Sequence, residues 1–184
     1  LRLSDGSMLA YGGLVLATGS TPRALTLPGA DSPGVLPLRS RDDATAIAER
    51  MAWCSAHGRP VVVIGGGFIG LEVAATARKK GLQVTVLEAA PRLLGRVLAP
   101  MLSDWFAQLH RGHGVTVHLG AQPVAIESGA DGSVQGVKLA DGSTVPAGLV
   151  LVGIGVAARD ELARAAGLEC DRGIVVDACG RTAD

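Results

Sequence analysis

The chain has 184 residues, with 17 basic and 17 acidic side chains that leave no formal net charge. This balance favours neither a nucleic-acid nor an anionic-membrane partner. Apolar residues make up 48% of the chain and aromatic residues only 3%, which excludes a disordered chain and predicts an aliphatic core. The longest uncharged apolar run, residues 145–158, is too short for a membrane span and contains Pro146.

A natural chain normally begins with Met, whereas this one begins with Leu1, so we expect a piece excised from a longer protein. The first residues have neither the charged region nor the apolar segment of a secretory signal. Its three cysteines, Cys54, Cys170 and Cys179, form neither a CxxC pair nor an even disulfide framework. We therefore expect free thiols and a cytoplasmic location, where disulfides are rare.

Residues 1–19 and 137–155 align with each other without a gap. Each contains Asp-Gly-Ser followed by an aliphatic run and a glycine, which predicts a hairpin with an Asp-Gly turn and then a strand, at 14–16 in the first copy. Because Asp-Gly turns are common, two unrelated hairpins are the alternative. A true repeat predicts two nucleotide-binding units, one that begins near Arg59 and one that begins upstream of Leu1.

Helical and strand patterns alternate between the two copies. Ser40 followed by Asp43 is a capping box, and it predicts a helix that ends near Ala56. We expect an α/β fold, a Rossmann-like parallel sheet with an antiparallel meander. A helix from Pro100 is expected to turn its large apolar residues inward, namely Leu102, Trp105, Phe106 and Leu109. Further predicted elements are strands at 61–64, 84–87, 115–118 and 149–152, a helix at 68–80 and meander strands at 124–127, 134–139 and 143–145.

The segment GGGFIG at residues 65–70 fits the pattern G-x-G-x-x-G directly between a predicted strand and a predicted helix. In this pattern Gly65 permits the tight turn, Gly67 leaves room for a diphosphate, and Gly70 lets the helix pack against the sheet. Free N–H groups at the helix start, which include those of Phe68 and Ile69, then attract the phosphates. The segment predicts a dinucleotide site.

Glu88 ends the next predicted strand, 18 residues after Gly70, where an acid can accept hydrogen bonds from both hydroxyls of the adenosine ribose. A carboxylate there repels a 2′-phosphate, so we expect NAD rather than NADP. Arg92 and Arg96 leave the alternative open, since a guanidinium one turn away can bind that phosphate.

Two further positions are candidates for the nicotinamide half of the site. Glu72 is predicted in the first helical turn, either as an acid that stabilises the helix dipole or as a buried acid facing the nicotinamide. Residues 153–155, Gly-Ile-Gly, end the last core strand and are expected to contact the nicotinamide, because ligands bind at the carboxyl ends of parallel strands.

No catalytic acid, base or nucleophile and no metal site is predicted. His110, His113 and His118 lack a further Cys or acid at metal-ligand spacing, so we expect them to be solvated or capping histidines.

The segment VVVIGGGFIGLEVAATARKKGLQVTVLEAAPRLLGRVLAP resembles the NAD-binding domain of FAD-dependent ferredoxin reductases in the pyridine nucleotide–disulfide oxidoreductase superfamily. LVLATGSTPRALTLPGAD, PLRSRDDA and GIVVDACGRTAD are similar to the flanking FAD-domain segments. The resemblance implies a division into FAD-domain flanks at 1–38 and 157–184 and an NAD-binding domain at 39–156. It also implies FAD contacts at Ala17, Thr18, Gly19 and Arg39.

The resemblance implies a parent flavoprotein that passes hydride from NADH to FAD and then single electrons to a ferredoxin. The first FAD fingerprint is not in this sequence, so we expect the chain itself to bind NAD(H) and little FAD. Two alternatives stay open. One is a disulfide or peroxide reductase or an NADH oxidase of the same superfamily, and the other is a nucleotide-responsive interaction protein similar to apoptosis-inducing factor.

Overall fold

The structure, a computed structural model, describes residues 1–183. They form two compact units, one made of Pro22–Val156 and the other of Leu1–Thr21 with the described part of Ala157–Asp184. Its strands are β1 (Ser20–Pro22), β2 (Val35–Pro37), β3 (Val61–Ile64), β4 (Val84–Glu88), β5 (Val115–Leu119), β6 (Pro123–Ser128), β7 (Val134–Leu139), β8 (Thr144–Pro146), β9 (Leu149–Val152) and β10 (Val156–Ala158). Its helices are α1 (Arg41–Ala56), α2 (Phe68–Lys79), α3 (Pro100–Gly112) and α4 (Glu161–Ala165).

A five-stranded parallel sheet forms the centre of Pro22–Val156, with the strand order β2-β9-β3-β4-β5. All four residues of β3 are buried, as a central parallel strand covered on both faces requires. Val61 is paired with Val84 on one side and with Leu149 on the other. The predicted α/β architecture is confirmed.

The two faces of this sheet carry different layers. Val61 and Val63 of β3 belong to a cluster that includes buried residues of α1, α2 and α3. Val62 and Ile64 point the other way, into a cluster with the antiparallel meander β6-β7-β8. The alternation of side chains along β3 therefore places helices on one face and the meander on the other.

The start of α1 confirms the predicted capping box. The backbone N–H of Asp43 donates to the Ser40 hydroxyl at 3.1 Å, and the N–H of Ser40 donates back to the Asp43 carboxylate at 2.8 Å. This pair satisfies two backbone groups that a helix start otherwise leaves unpaired.

Helix α3 packs through a different face from the predicted one. Leu102, Trp105 and Leu109 are exposed, and only Phe106 of the predicted inward set packs against the core. The buried positions are Ser103, Ala107 and His110, which share one side of the helix. This side, rather than the side with the large apolar residues, packs against the sheet beside β5, so the prediction for the three large residues was wrong.

The first predicted hairpin forms only in part. The Ser7 N–H and hydroxyl both bond to the Asp5 carboxylate, and Arg2 forms a β-bridge with Met8. The predicted strand at 14–16 is absent, however, and Val15 is 88% exposed. A strand needs a hydrogen-bonded neighbour, and no described residue pairs with this segment. The second copy, with β7, β8 and β9, forms as predicted.

Strand β2 was not predicted from the sequence. It has only three residues and ends in Pro37, so it is too short to show a strand pattern. It exists because Val35, Leu36 and Pro37 pair with β9 at the sheet edge.

Among residues 1–183, none of the helices has the length and apolar character that crossing a bilayer requires.

Candidate functional site

The loop after β3 makes its sharp turn at Gly65. This residue has φ +108°, a backbone conformation that favours glycine. A Cβ there would lie 2.4 Å from the carbonyl oxygen of Gly153. The Gly65 N–H donates to the carbonyl of Leu87 at 2.8 Å. The turn thus contacts the ends of both neighbouring strands, β4 and β9, and leaves no space for a side chain.

Gly67 lies at the start of α2 beside open space. Its φ of −84° suits any residue, and no atom of residues 1–183 lies within 4 Å of the position that a Cβ would take. No side chain caps the helix start, where the first N–H groups have no partner within the helix. These N–H groups and the positive end of the helix favour an anion. Gly67 therefore leaves that end accessible to a ligand.

Gly70 shows why the third glycine of the motif is needed. A Cβ at this position would lie 2.2 Å from the carbonyl oxygen of Gly65 and 3.0 Å from Cγ1 of Val63. No side chain fits between α2 and β3 here, which agrees with the packing role that the sequence predicts for Gly70.

Glu88 is half-buried at the carboxyl end of β4 and is bonded to the glycine loop. Its Oε2 accepts a hydrogen bond from the Gly66 N–H at 2.5 Å, and its Oε1 accepts one from the Ala90 N–H at 2.7 Å. Two carboxylate oxygens have about four acceptor sites, so the group can still accept hydrogen bonds from a ligand. The structure thus fixes the position of this acid through the backbone.

The two arginines after Glu88 have different surroundings. The Arg92 guanidinium donates to the carbonyls of Leu98 and Gly95 at 2.6 and 2.7 Å, and to the Ser103 hydroxyl at 3.0 Å. It therefore holds the loop between β4 and α3. Arg96 is exposed and has no ion pair within residues 1–183. Of the two, Arg96 is the one available to a ligand.

The Gly-Ile-Gly loop follows β9, the strand beside β3. The N–H of Gly153 donates to the carbonyl of Ile64 at 2.8 Å, and Gly155 has φ +104°. The carbonyl of Gly155 accepts a hydrogen bond from the Arg23 N–H at 2.9 Å. This bond brings the segment after β1 next to the loop.

These loops enclose one groove at the carboxyl ends of β3, β4 and β9, which we call the strand-end groove. Its volume is about 640 Å³. Such strand ends are the usual ligand position in doubly wound folds. The groove is lined by Pro22, Leu38, Ile64, Gly65, Gly67, Phe68, Ile69, Leu87, Glu88, Ala89, Arg96, Val97, Pro123, Val152, Gly153, Ile154, Gly155 and Val156.

Phe68 and Ile69 form an apolar edge of the strand-end groove. Both are about half exposed, and the Phe68 ring meets Phe106 edge to face at 6.5 Å between centroids. Phe106 in turn meets Trp105 edge to face at 5.0 Å. The groove therefore combines an apolar wall with the polar start of α2, as a site for a ligand with both rings and phosphates requires.

Glu72 does not match its prediction. Helix α2 begins at Phe68, so Glu72 lies in the second turn rather than the first, and its side chain is exposed. It does not line the strand-end groove. The expectation of an acid buried within this unit was therefore wrong, because the buried side of α2 is formed by Leu71, Val73, Ala74 and Ala77 instead.

The predicted FAD contacts lie in different units. In the unit with Leu1–Thr21, the Thr18 hydroxyl donates to the carbonyl of Arg159, and Gly19 has φ +73°. Ala17 is exposed in the same segment. Arg39 is exposed just before α1, where its N–H donates to the Asp43 carboxylate at 2.9 Å. Their role as FAD contacts stays a prediction.

The histidines and cysteines form no metal site within residues 1–183. His110 is only 9% exposed, and the C-cap of α3 is His113, so the prediction of a solvated or capping histidine was wrong for His110. Burial, with a smaller contribution from the charge of His113, lowers the pKa of His110. The three cysteines are free, as predicted, and burial raises the pKa of the Cys54 thiol.

Several residues of the strand-end groove were missed by sequence reasoning. They share no motif with the glycine loop and come from distant parts of the chain. Among them only Pro123 had a neighbouring signal, because it directly precedes the predicted strand 124–127. They are Pro22, Leu38, Val97 and Pro123, with Arg23 beside them.

Comparison with known proteins identifies the family. A family model described as pyridine nucleotide-disulphide oxidoreductase matches residues 1–184. Rhodocoxin reductase from Rhodococcus erythropolis is 46% identical over 184 residues, which are 100% of this chain and 42% of that protein.

Two solved structures are also similar. The ferredoxin reductase for the CYP199A2 system from Rhodopseudomonas palustris is 46% identical, with a TM-score of 0.90 over 98% of this chain and 44% of that one. The reductase in the covalent putidaredoxin reductase–putidaredoxin complex is 42% identical, with a TM-score of 0.88 over 100% of this chain and 44% of that one.

The chain spans less than half the length of these relatives. The glycine loop, the acid at the end of β4 and the match along the whole sequence agree with one another. The chain belongs to the pyridine nucleotide-disulphide oxidoreductase family.

Proposed function

We propose that this chain binds NADH as part of a flavoprotein reductase that passes hydride to FAD and electrons to a ferredoxin. The observation that carries the proposal is the open position at Gly67. It exposes the uncapped start of α2 inside the strand-end groove, where a diphosphate gains N–H groups and the helix dipole.

The remaining parts of the dinucleotide are proposed to bind at the two ends of this groove. The Glu88 carboxylate is held at the end of β4, where it accepts hydrogen bonds from the adenosine ribose hydroxyls. The apolar edge at Phe68 and Ile69 borders the diphosphate. Residues 153–155 contact the nicotinamide end, beyond the start of α2.

The proposed preference is for NADH over NADPH. A 2′-phosphate would meet the Glu88 carboxylate, and two like charges at close range repel. Arg92 gives no compensation, because its guanidinium already donates to two carbonyls and one hydroxyl. Nη2 of Arg96 lies 3.9 Å from the position that a Cβ on Gly155 would take, at the proposed nicotinamide end of the groove, so Arg96 does not compensate the repulsion either.

The role within the parent protein rests on the relatives. They include a ferredoxin reductase and a reductase solved with putidaredoxin. Bound FAD would supply the chemistry that converts a hydride into single electrons. This chain would bind the dinucleotide and orient its ring, with Ala17, Thr18, Gly19 and Arg39 as the proposed FAD contacts. Glu72 stays in the proposal as a contact made from the exposed side of α2.

We include a cytoplasmic setting in the proposal. Its support is the three free cysteines, which a reducing compartment keeps as thiols.

Titration of the chain with NADH in a calorimeter tests the proposal. Gly67→Val should abolish binding, because a branched side chain would occupy the space beside the helix start. Gly112→Val is the matched control, since a Cβ there also meets no atom within 4 Å and the residue ends α3 at the opposite end of the sheet. Wild-type affinity in Gly67→Val would refute the cofactor assignment.

A further inference from the structure

Two arginine side chains lie at the Gly155 end of the strand-end groove. A Cβ on Gly155 would lie 4.0 Å from Cδ of Arg23 and 3.9 Å from Nη2 of Arg96. The Arg23 main chain is held at this end, because its N–H donates to the carbonyl of Gly155 at 2.9 Å, and its side chain is exposed beside the loop. Both positions belong to the unit Pro22–Val156, so one compact body holds them together.

Neither positive charge is neutralised within the described part of the chain. The three ion pairs found in residues 1–183 are formed by Arg41, Arg164 and Arg172. Within the described part of the chain, Glu88 is the one acid that lines the groove, and its carboxylate accepts hydrogen bonds from the N–H groups of Gly66 and Ala90 at the end of β4. The Gly155 end therefore carries an excess of positive charge.

This charge distinguishes the two redox states of a nicotinamide dinucleotide. The oxidised ring is a pyridinium cation, whereas the reduced dihydropyridine ring is neutral. The diphosphate and both riboses are the same in the two forms. A fixed positive charge near the ring therefore repels the oxidised form alone, while its attraction for the diphosphate acts on both forms equally.

We propose that Arg23 and Arg96 make the site selective for the reduced dinucleotide and favour release of the oxidised product. This inference rests on the proposed function, which places the nicotinamide at residues 153–155. Repulsion between an arginine and the pyridinium ring, several ångströms apart in a partly hydrated groove, weakens the binding of NAD⁺ by about threefold to tenfold. We therefore expect NADH to bind more tightly than NAD⁺ by a factor of this size for each arginine.

Calorimetric titration of the chain with NADH, NAD⁺ and ADP-ribose measures this selectivity. ADP-ribose has the diphosphate but lacks the nicotinamide ring, so it reports any effect of an arginine on the phosphates alone. The variants are Arg23→Gln, Arg23→Lys and Arg96→Gln. Lys79→Gln is the control, because it removes one exposed positive charge at the opposite end of α2.

Arg23→Gln should lower the ratio of the NAD⁺ dissociation constant to the NADH dissociation constant by about threefold to tenfold. Arg96→Gln should do the same, whereas Arg23→Lys and Lys79→Gln should keep the wild-type ratio. If Arg23→Gln lowers the melting temperature too far for titration, Arg96→Gln provides the same test, because its side chain has no ion pair within residues 1–183.

Two results would overturn the inference. One is an unchanged ratio in both glutamine variants, and the other is an equal loss of affinity for all three ligands, which would assign the arginines to the diphosphate. Failure of the wild-type chain to bind either NADH or ADP-ribose would instead refute the proposed function, so the two failures are distinct.

Discussion

The Glu88 carboxylate accepts a hydrogen bond from the backbone N–H of Gly66 at 2.5 Å, which links the end of β4 to the glycine loop after β3. A Cβ on Gly66 would lie 3.0 Å from the same carboxylate oxygen and 2.4 Å from Cδ2 of Leu93. Gly66, the variable position between the first two glycines of the motif, therefore lies directly against Glu88 and Leu93, and a side chain there would have to displace one of them. The acid holds the loop in place and also faces the strand-end groove.

Glu88→Gln should reduce the preference for NADH over NADPH. The amide keeps one acceptor oxygen but carries no charge, so it no longer repels a 2′-phosphate. We expect the affinity ratio to fall by about tenfold, which corresponds to about 1.4 kcal/mol. Calorimetry with both dinucleotides measures it, with the exposed Glu49→Gln on α1 as the control. An unchanged ratio would contradict the assignment of this preference to the Glu88 carboxylate.

Gly70→Val and Gly67→Val should separate packing from binding. A side chain at Gly70 would overlap the carbonyl of Gly65, so Gly70→Val should lose about 1–3 kcal/mol or more of unfolding free energy as well as NADH binding. Gly67→Val should lose less than about 1 kcal/mol, since only the helix start changes. Thermal melting compares them. Equal destabilisation would contradict the open space seen beside Gly67.

Arg92→Ala should destabilise the loop between β4 and α3. The change removes hydrogen bonds to the carbonyls of Leu98 and Gly95 and leaves the buried Ser103 hydroxyl without this donor. A loss of about 2–3 kcal/mol is expected, because these bonds come from a charged group. Urea unfolding measures the loss. Arg111→Ala, which removes one long bond to Val117, should cost much less.

His110 should make the stability of the chain depend on pH. Burial lowers the pKa of His110 in the folded state, so the unfolded state binds the proton more readily. The stability that neutral His110 contributes is present above the unfolded pKa of about 6.5 and is lost as the pH falls through the lower folded pKa. The melting temperature should therefore decrease as the pH is lowered from about 6.5 through the folded pKa of His110.

His110→Leu should flatten this dependence, because it removes the group that must be protonated. The exposed His118→Gln should leave the slope unchanged. A slope that stays the same in His110→Leu would assign the pH dependence to other groups.

Local patterns of the sequence predicted much of this structure correctly. The capping box at Ser40 and Asp43 depends on atoms three residues apart, and the strand at Val61–Ile64 needs only a continuous apolar run. The spacing of the glycine motif predicted the turn at Gly65 and the close packing at Gly70, because each glycine role follows from a strand leading directly into a helix.

The sequence by itself thus determined the features that depend on residues close together along the chain, namely the capped helix, the buried strands and the glycine loop. Only the tertiary structure decided that α3 faces the core through Ser103 and His110 and that Arg92 holds a loop. Arg23 and Gly155 come from opposite ends of the unit Pro22–Val156, and they meet because of how the sheet and its loops pack. Such contacts depend on the distances between packed elements, and no residue spacing encodes them.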